Sequence, residues 1–299
     1  MSERVLAIIN GAAGGGAGGK RAPAVLDGLK DTFPGLERAY TTGPEHATTL
    51  ARQAWDDGVR HFLAVGGDGT AFEVLNGLFP RAEGEDRPVM GYLPLGTGNS
   101  FVRDFDVTDR DSAVAALRSG RRSLVDVIRA EHDEGVFHYV NLLSLGFSAE
   151  AGDLTNRRFK SLGAPGYIAA VLVTLARLKH PTFPVRLDGG DWDRRPAALL
   201  SFSNSGYTAG TMNMAPGADP CDGQLDVIRV GPLGRPRFLA TFPRIFAGTH
   251  TSAKDIEQTR CRTIDLELDG PVDCMVDGEI LKVRLRRLEL MSHALEVML

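Results

Sequence analysis

A carboxylate set among glycines is the first place in this 299-residue sequence where chemistry can be read. Gly66-Gly67-Asp68-Gly69-Thr70 follows the apolar run His61-Phe62-Leu63-Ala64-Val65 and precedes Ala71 to Leu78, apolar at helical spacing. A short apolar run closed by glycines reads as a buried strand, and Thr70 is placed to cap the helix that follows. Backbone N–H groups at a helix N-terminus hold anions such as phosphate, and glycine admits them closely because it has no Cβ. Asp68 inside such a cradle would repel phosphate unless Mg²⁺ or a donor hydroxyl stood beside it. That combination points to metal-assisted phosphoryl chemistry.

Two further glycine loops follow strand-like runs. Tyr92-Leu93-Pro94-Leu95-Gly96-Thr97-Gly98-Asn99-Ser100-Phe101-Val102-Arg103-Asp104 comes after an apolar run from Arg87 to Leu93. Asn10 to Lys20 comes after Val5 to Ile9 and holds two weak matches. Gly14-x-Gly16-x-x-Gly19 fits a dinucleotide fingerprint, as any glycine-dense run will. Gly14 to Lys20 imitates a P-loop, but Arg21 stands where a Ser or Thr should bind Mg²⁺.

The Gly-Gly-Asp-Gly-Thr run and the Pro94 to Arg103 block, in this order, resemble the diacylglycerol kinase-like lipid kinases. Sphingosine, ceramide and NAD kinases share the first motif. The resemblance implies ATP and Mg²⁺ as cofactors, with nucleotide contacts at Asn10, Gly14, Gly16, Thr41, Gly66, Gly67, Asp68, Gly69, Thr70, Gly96, Thr97 and Asn99. The first loop departs from the family pattern, with Gly11 for proline and Ala13 for serine, which leaves it looser and one hydroxyl poorer. An NAD kinase-type enzyme is the neighbouring alternative, yet the Asn-Glu pair expected of one does not occur here. A nucleotide- or lipid-binding protein without turnover is the alternative from another class.

Met275-Val276-Asp277-Gly278-Glu279-Ile280-Leu281 carries an Asp-Gly pair between apolar runs, a strong hairpin signal. Asp-Gly recurs at Asp188, Asp222 and Asp269, which favours turns at most of these pairs. The resemblance gives Asp277 the role of general base, taking the proton of a lipid hydroxyl, with Glu279 orienting it or a metal-bound water. Ala215 to Asp226 resembles the family's Mg²⁺ segment, with Asp222 as carboxylate ligand and backbone oxygens of Asp219 and Gln224 beside it. Carbonyl and carboxylate oxygens suit that hard ion. Asp126 aligns with a family acid that links Mg²⁺ to the first domain, and a surface position would explain it equally well.

These residues need two domains to hold them. Strands and helices alternate through about residue 120, which predicts an α/β nucleotide-binding domain over 1–123, with a parallel sheet and ligand loops at the strand C-terminal ends. Its expected helices run from about Ala22 to Phe33, from an opening within Thr41 to Ala47 through Trp55 with threonines capping it, and from Asp111 to Gly120. Residues 124–290 then read mainly as strands, among them 136–144, and predict an antiparallel β-sandwich for the lipid substrate. Residues 291–299 are expected to return to the first domain. Within the sandwich, Pro165 to Lys179 reads as an apolar helix. It either packs on the sheet or forms a wall for acyl chains, rimmed by Arg157, Arg158, Lys160, Arg177 and Lys179.

Composition bounds the partners. A formal net charge of −4 argues against a nucleic-acid binder, and 43% hydrophobic with 24% charged residues suits a soluble enzyme. Cys221, Cys261 and Cys274 lack C-x-x-C spacing and fit a reducing cytoplasm. Nothing reads as a signal peptide or membrane span, so contact with a membrane-borne lipid would be peripheral. A homodimer stays open.

Overall fold

The computed structural model describes residues 4–81, 86–95, 99–155, 158 and 163–299. The chain divides into two compact units, Met1–Val127 with Ser292–Leu299 and Ile128–Met291. The first division therefore falls four residues past the expected 123.

The first unit alternates strands and helices. They are β1 (Arg4–Ile9), α1 (Ala17–Asp27), β2 (Gly35–Tyr40), α2 (His46–Asp56), β3 (His61–Gly66), α3 (Asp68–Leu78), β4 (Val89–Pro94) and α4 (Arg110–Ser119). β5 (Arg122–His132) then carries the chain across the division. The sheet order is β2-β1-β3-β4, all parallel, and Glu296–Met298 adds a further parallel strand beside β4. β3 is buried along its whole length, as a parallel strand covered on both faces must be.

The second unit continues with β6 (Gly135–Tyr139), β7 (Leu142–Gly146), α5 (Phe147–Leu154), α6 (Gly163–Leu175), β8 (Val185–Leu187), β9 (Trp192–Asp193), β10 (Leu199–Ser203), β11 (Tyr207–Thr208), β12 (Met212–Asn213) and β13 (Leu225–Val230). It ends with α7 (Arg235–Thr241), β14 (Ile256–Cys261), β15 (Thr263–Leu266), β16 (Val272–Val276), β17 (Glu279–Val283) and β18 (Leu285–Met298), whose end supplies the added strand of the first unit. One antiparallel sheet runs β14-β13-β10-β7-β16-β17, and β18, β15, β8 and β9 pair antiparallel in turn. This is the antiparallel β-sandwich expected of the second half.

Several expectations change. α1 begins at Ala17 rather than Ala22, because Gly18 and Gly19 pack against the loop before them. A Cβ on either would come within 3.0 Å of a carbonyl oxygen, Ala13 or Gly11. Thr70 does not cap α3, which starts at Asp68 with Gly67 as its extended N-cap. The threonines do not cap α2 either. Glu73 of α3 does, its Oε1 and Oε2 accepting the backbone N–H groups of Glu45 and Ala47 at 3.0 and 3.1 Å. The expected strand over 136–144 splits at Val140 and Asn141, where a side chain from elsewhere takes over the backbone bonds. α6 stops at Leu175, after which i→i−3 bonds at Arg177 and Leu178 tighten the last turn.

Candidate functional site

The parallel register gathers the expected nucleotide residues at one end of the sheet. Ile9 pairs with both Tyr40 and Val65, and Val65 pairs with Leu93. The segments that begin at Asn10, Thr41, Gly66 and Leu95 therefore leave the sheet side by side. Asn10 fastens two of them, donating from Nδ2 to Thr70 Oγ1 at 3.2 Å while its Oδ1 accepts the Ala12 N–H at 3.0 Å. Thr41 N–H donates to the Ile9 carbonyl at 2.9 Å, and Leu95 N–H to the Gly66 carbonyl at 2.8 Å. Thr70 is buried inside α3, its hydroxyl engaged by Asn10.

Glycine is required here at identifiable points. Gly14, Gly15 and Gly16 take φ of 59°, 69° and 87°, and a Cβ on Gly14 would sit 2.6 Å from the Leu95 carbonyl oxygen. On Gly66 a Cβ would sit 2.3 Å from Thr70 Oγ1. Gly67 is different. At φ −106° and ψ −173° its backbone suits any residue. Gly69 lies in the first turn of α3, where backbone N–H groups face the helix N-terminus. Gly96 and Thr97 lie outside the described residues, while Asn99, at φ 54°, lies inside them.

Asp68 sits at the mouth of this arrangement. Ser100 N–H donates to its Oδ1 at 3.0 Å. Burial pushes the carboxyl up to about 6, against the downward pull of the Ser100 and Asn99 backbone groups. Gly66, Gly67, Asp68, Tyr92, Asn99 and Phe101 line a narrow cleft of about 10 Å³ beside it. A carboxyl that changes charge near neutral pH, next to phosphate-sized backbone donors, can accept a proton during phosphoryl transfer.

Asp277 is both a hairpin corner and an anchor. With Gly278 it turns β16 into β17 at φ 45° and 86°, both left-handed as a type I′ turn requires. It is 4% exposed, and its carboxylate accepts the backbone N–H groups of Val140, Asn141 and Leu142, each at 3.1 Å. These are the bonds that split the expected 136–144 strand. Asp188-Gly189 repeats the device at φ 46° and 71°, with Asp188 Oδ1 accepting the N–H groups of Arg262 and Thr263 at 2.9 and 2.8 Å. Glu279 is exposed at the start of β17.

The expected metal residues fall in different places. Asp126 is fully buried in the first unit and accepts the His293 N–H at 2.7 Å, where His293 takes φ 52°. Asp219 and Asp222 bend their own loop by accepting the Cys221 and Gln224 N–H groups, each at 2.9 Å. Among the described residues no group of three His, Cys, Asp or Glu is placed to hold a metal. An ion here would therefore draw on backbone oxygens as well. The local chemistry fits one. Asp222 is raised above the usual carboxylate value, first by burial, with Gln224 N–H and Arg260 opposing and Asp219 and Asp226 adding. Asp226, 1% exposed, accepts from Gln258 Nε2 at 2.8 Å through Oδ1, while its buried Oδ2 meets no partner among the described residues. Asp226 closes the Ala215 to Asp226 segment but is not among the expected ligands; an acid inside the apolar run Leu225 to Val230, four residues past Asp222, is the sequence signal that marks it.

Comparison with known proteins gives this arrangement its relatives. Residues 4–130 match the diacylglycerol kinase catalytic domain, and 141–299 match the YegS C-terminal NAD kinase beta sandwich-like domain. The chain belongs to the diacylglycerol kinase and YegS-like lipid kinase family. A diacylglycerol kinase of Mycobacterium tuberculosis is 29% identical over 279 residues, covering 92% of this chain and 88% of its own. The "Probable lipid kinase YegS-like" of Stenotrophomonas maltophilia is 30% identical over 261 residues, covering 85% and 83%. A crystal structure of a proposed diacylglycerol kinase from Bacillus anthracis superposes with a TM-score of 0.82 at 25% identity, covering 99% of this chain and 95% of that one. As a member of the lipid kinase family, the chain is a phosphotransferase acting on a lipid alcohol.

Proposed function

We propose that the protein transfers the γ-phosphoryl group of Mg-ATP to a hydroxyl of a diacylglycerol-like or sphingoid-like lipid. One observation carries this reading. The register lines up the glycine loops after β1 and β3 at one sheet end, with Asp68 at the N-terminus of α3 between them. The lipid oxygen forms a bond to the γ-phosphorus as the bond to the β–γ bridging oxygen breaks and ADP leaves. The hydroxyl proton passes to a carboxylate. Mg²⁺, when bound, offsets the charge of the phosphates. This chain's residues contribute the rest. Backbone N–H groups of Gly67 to Thr70 hold the phosphates, and Asn10 keeps the first loop against α3.

Two carboxylates compete for the proton. Asp277 is the one the family resemblance favours. Its three backbone donors tie it to the β6–β7 connection, whereas the raised Asp68 is matched to proton transfer near neutral pH. On that observation Asp68 is the preferred acceptor and Asp277 the second.

The lipid is met at a membrane surface from the cytoplasm, by peripheral contact. No helix among the described residues is long and apolar enough to cross a membrane. α6 supports the surface reading. Val171 and Leu175 pack inward, while Ile168, Leu172 and Val173 are 48%, 53% and 48% exposed, with Arg177 and Lys179 exposed just beyond. Arg158 is exposed too, and Arg157 and Lys160 lie outside the described residues. The test is incubation with ATP and a total lipid extract, with mass spectrometry of the products. A lipid that gains one phosphate supports the reading, and an extract that gains none overturns it.

A further inference from the structure

The turn from Thr41 to Ala47 joins β2 to α2 at the sheet end where the glycine loops leave, and its Thr41 N–H donates to the Ile9 carbonyl at 2.9 Å. Thr42, Gly43, Pro44 and Glu45 are all exposed, so burial does little to hold it. Side chains hold it instead. Nδ1 of His46 lies 3.0 Å from the Thr42 backbone nitrogen and 3.1 Å from the Thr42 hydroxyl oxygen. A backbone N–H only donates, so Nδ1 is the bare nitrogen of the ring and accepts both. The second clamp comes from α3. Glu73 accepts the N–H groups of Glu45 and Ala47 at 3.0 and 3.1 Å, one with each carboxylate oxygen, and its own carbonyl accepts the Thr48 hydroxyl at 2.8 Å.

This is more than α2 needs for a cap. A local Ser, Thr or Asp would cap a helix without strain, yet neither threonine before α2 does so. Between the two clamps Glu45 takes φ 62°, a left-handed conformation that a residue with a side chain rarely adopts. Strain held in place by surrounding contacts collects at turns shaped for a ligand. Glu73 stands on the helix whose first turn begins at Asp68, so α3 carries both the phosphate cradle and the clamp. The two helices are packed without slack, since a Cβ on Gly77 of α3 would lie 2.4 Å from the Thr48 carbonyl oxygen. The Thr41 side chain is half-buried, and its hydroxyl has no hydrogen-bond partner among the described residues.

We propose that His46 and Glu73 are positioning residues for the nucleotide, fixing the Thr41 to Ala47 turn at a set distance from the cradle so that the Thr41 hydroxyl meets ATP already in place. The proposal rests on the phosphoryl-transfer reading for the identity of that nucleotide. A turn formed beforehand binds without the cost of ordering an exposed segment.

The test is calorimetric titration of the full chain with Mg-ATP, with no lipid present. His46→Leu removes the acceptor and should weaken ATP about ten-fold, whereas His46→Asn, whose Oδ1 stands in for Nδ1, should restore most of that loss. Glu73→Gln sets an NH₂ donor against one of the two N–H groups and should weaken ATP by a similar factor. Thr41→Val separates positioning from a general loss of order. If His46 acts through the Thr41 hydroxyl, His46→Leu added to Thr41→Val should cost no more than Thr41→Val alone. In turnover the loss should fall on KM for ATP rather than on kcat. Affinity within about two-fold of wild type in either His46→Leu or Glu73→Gln overturns the proposal, as does a double variant whose losses simply add. An equal loss in His46→Asn and His46→Leu would put the bulk of the ring, not Nδ1, at work and overturns it too. Thermal melting checks each fold first, and if Glu73→Gln does not fold, the His46 and Thr41 variants decide alone. A wild type that binds no ATP fails the phosphoryl-transfer reading together with the proposal, whereas wild-type binding with unchanged variants fails the proposal alone.

Discussion

Asp68 and Ser100 are joined by a 3.0 Å hydrogen bond from the Ser100 backbone N–H to the carboxylate, which ties the start of α3 to the loop after β4. The bond favours the charged form, and burial outweighs it, leaving the carboxyl at about 6. The ordinary value is 3.8, so the native state holds its proton longer than the unfolded chain does. The stability this group contributes is full below about pH 4 and is lost as pH rises to about 6. The difference in unfolding free energy between wild type and Asp68→Asn should therefore change across that window and level off above it. Chemical denaturation from pH 4 to 8 measures it, and a constant difference would contradict the raised value.

The same carboxyl sets a kinetic expectation. With Asp68 as proton acceptor, kcat should rise through about pH 6, and Asp68→Asn should lose about 10²–10⁴-fold in kcat. The loss should fall on kcat rather than on KM for the lipid, because the proton moves only in the transition state. A variant within about ten-fold of wild type would return attention to Asp277.

Asp277→Asn separates anchor from base. Asparagine suits the turn itself, but its amide would face an N–H donor with another donor at Val140 or at Asn141 and Leu142. A loss of about 1–3 kcal/mol in stability is expected. Thermal melting reads the anchor, and kcat of the folded fraction reads the base. A fall of about 10²–10⁴-fold in that fraction would make Asp277 the acceptor.

Neighbouring glycines should fail in different ways. Gly67→Val meets no backbone restriction and should melt near wild type while losing ATP binding. Gly66→Ala drives a methyl into Thr70 and should cost about 1–3 kcal/mol of stability. Calorimetric ATP titration of folded Gly67→Val is the decisive measurement. Unchanged affinity would move the phosphates elsewhere.

Mg²⁺ should raise the melting temperature of the wild type through the Asp219 to Asp226 loop. Asp222→Ala should be less stable and less active, and added Mg²⁺ should restore neither. A variant as stable as wild type, with the same response to Mg²⁺, would remove the ion from this loop.

The sequence was most informative where local rules dominate. Apolar runs ending in glycine marked β1 and β3, and Asp-Gly marked the β16–β17 corner, because strand burial and left-handed turns are written in adjacent residues. It was silent where the partner is distant. Nothing near Glu45 tells that Glu73 caps α2, and nothing near Val140 tells that Asp277 interrupts a strand there. Glycine density also misled, since Gly18 and Gly19 read as loop and are helix. The titration of Asp68 depends on its burial, which no spacing rule reports.

The parallel strand that Glu296–Met298 lays beside β4 has a consequence for synthesis on the ribosome. Those residues are translated after the whole of Ile128–Met291, so the second unit is complete while the first still lacks its outermost strand. At about 5–20 residues per second the wait is on the order of ten seconds. Throughout it, Val89–Pro94 presents an apolar strand edge without its partner, a ready template for pairing with another nascent chain. Slowing translation within the second unit should lengthen that exposure and raise the aggregated fraction, and supplying Ser292–Leu299 in trans as a peptide should lower it.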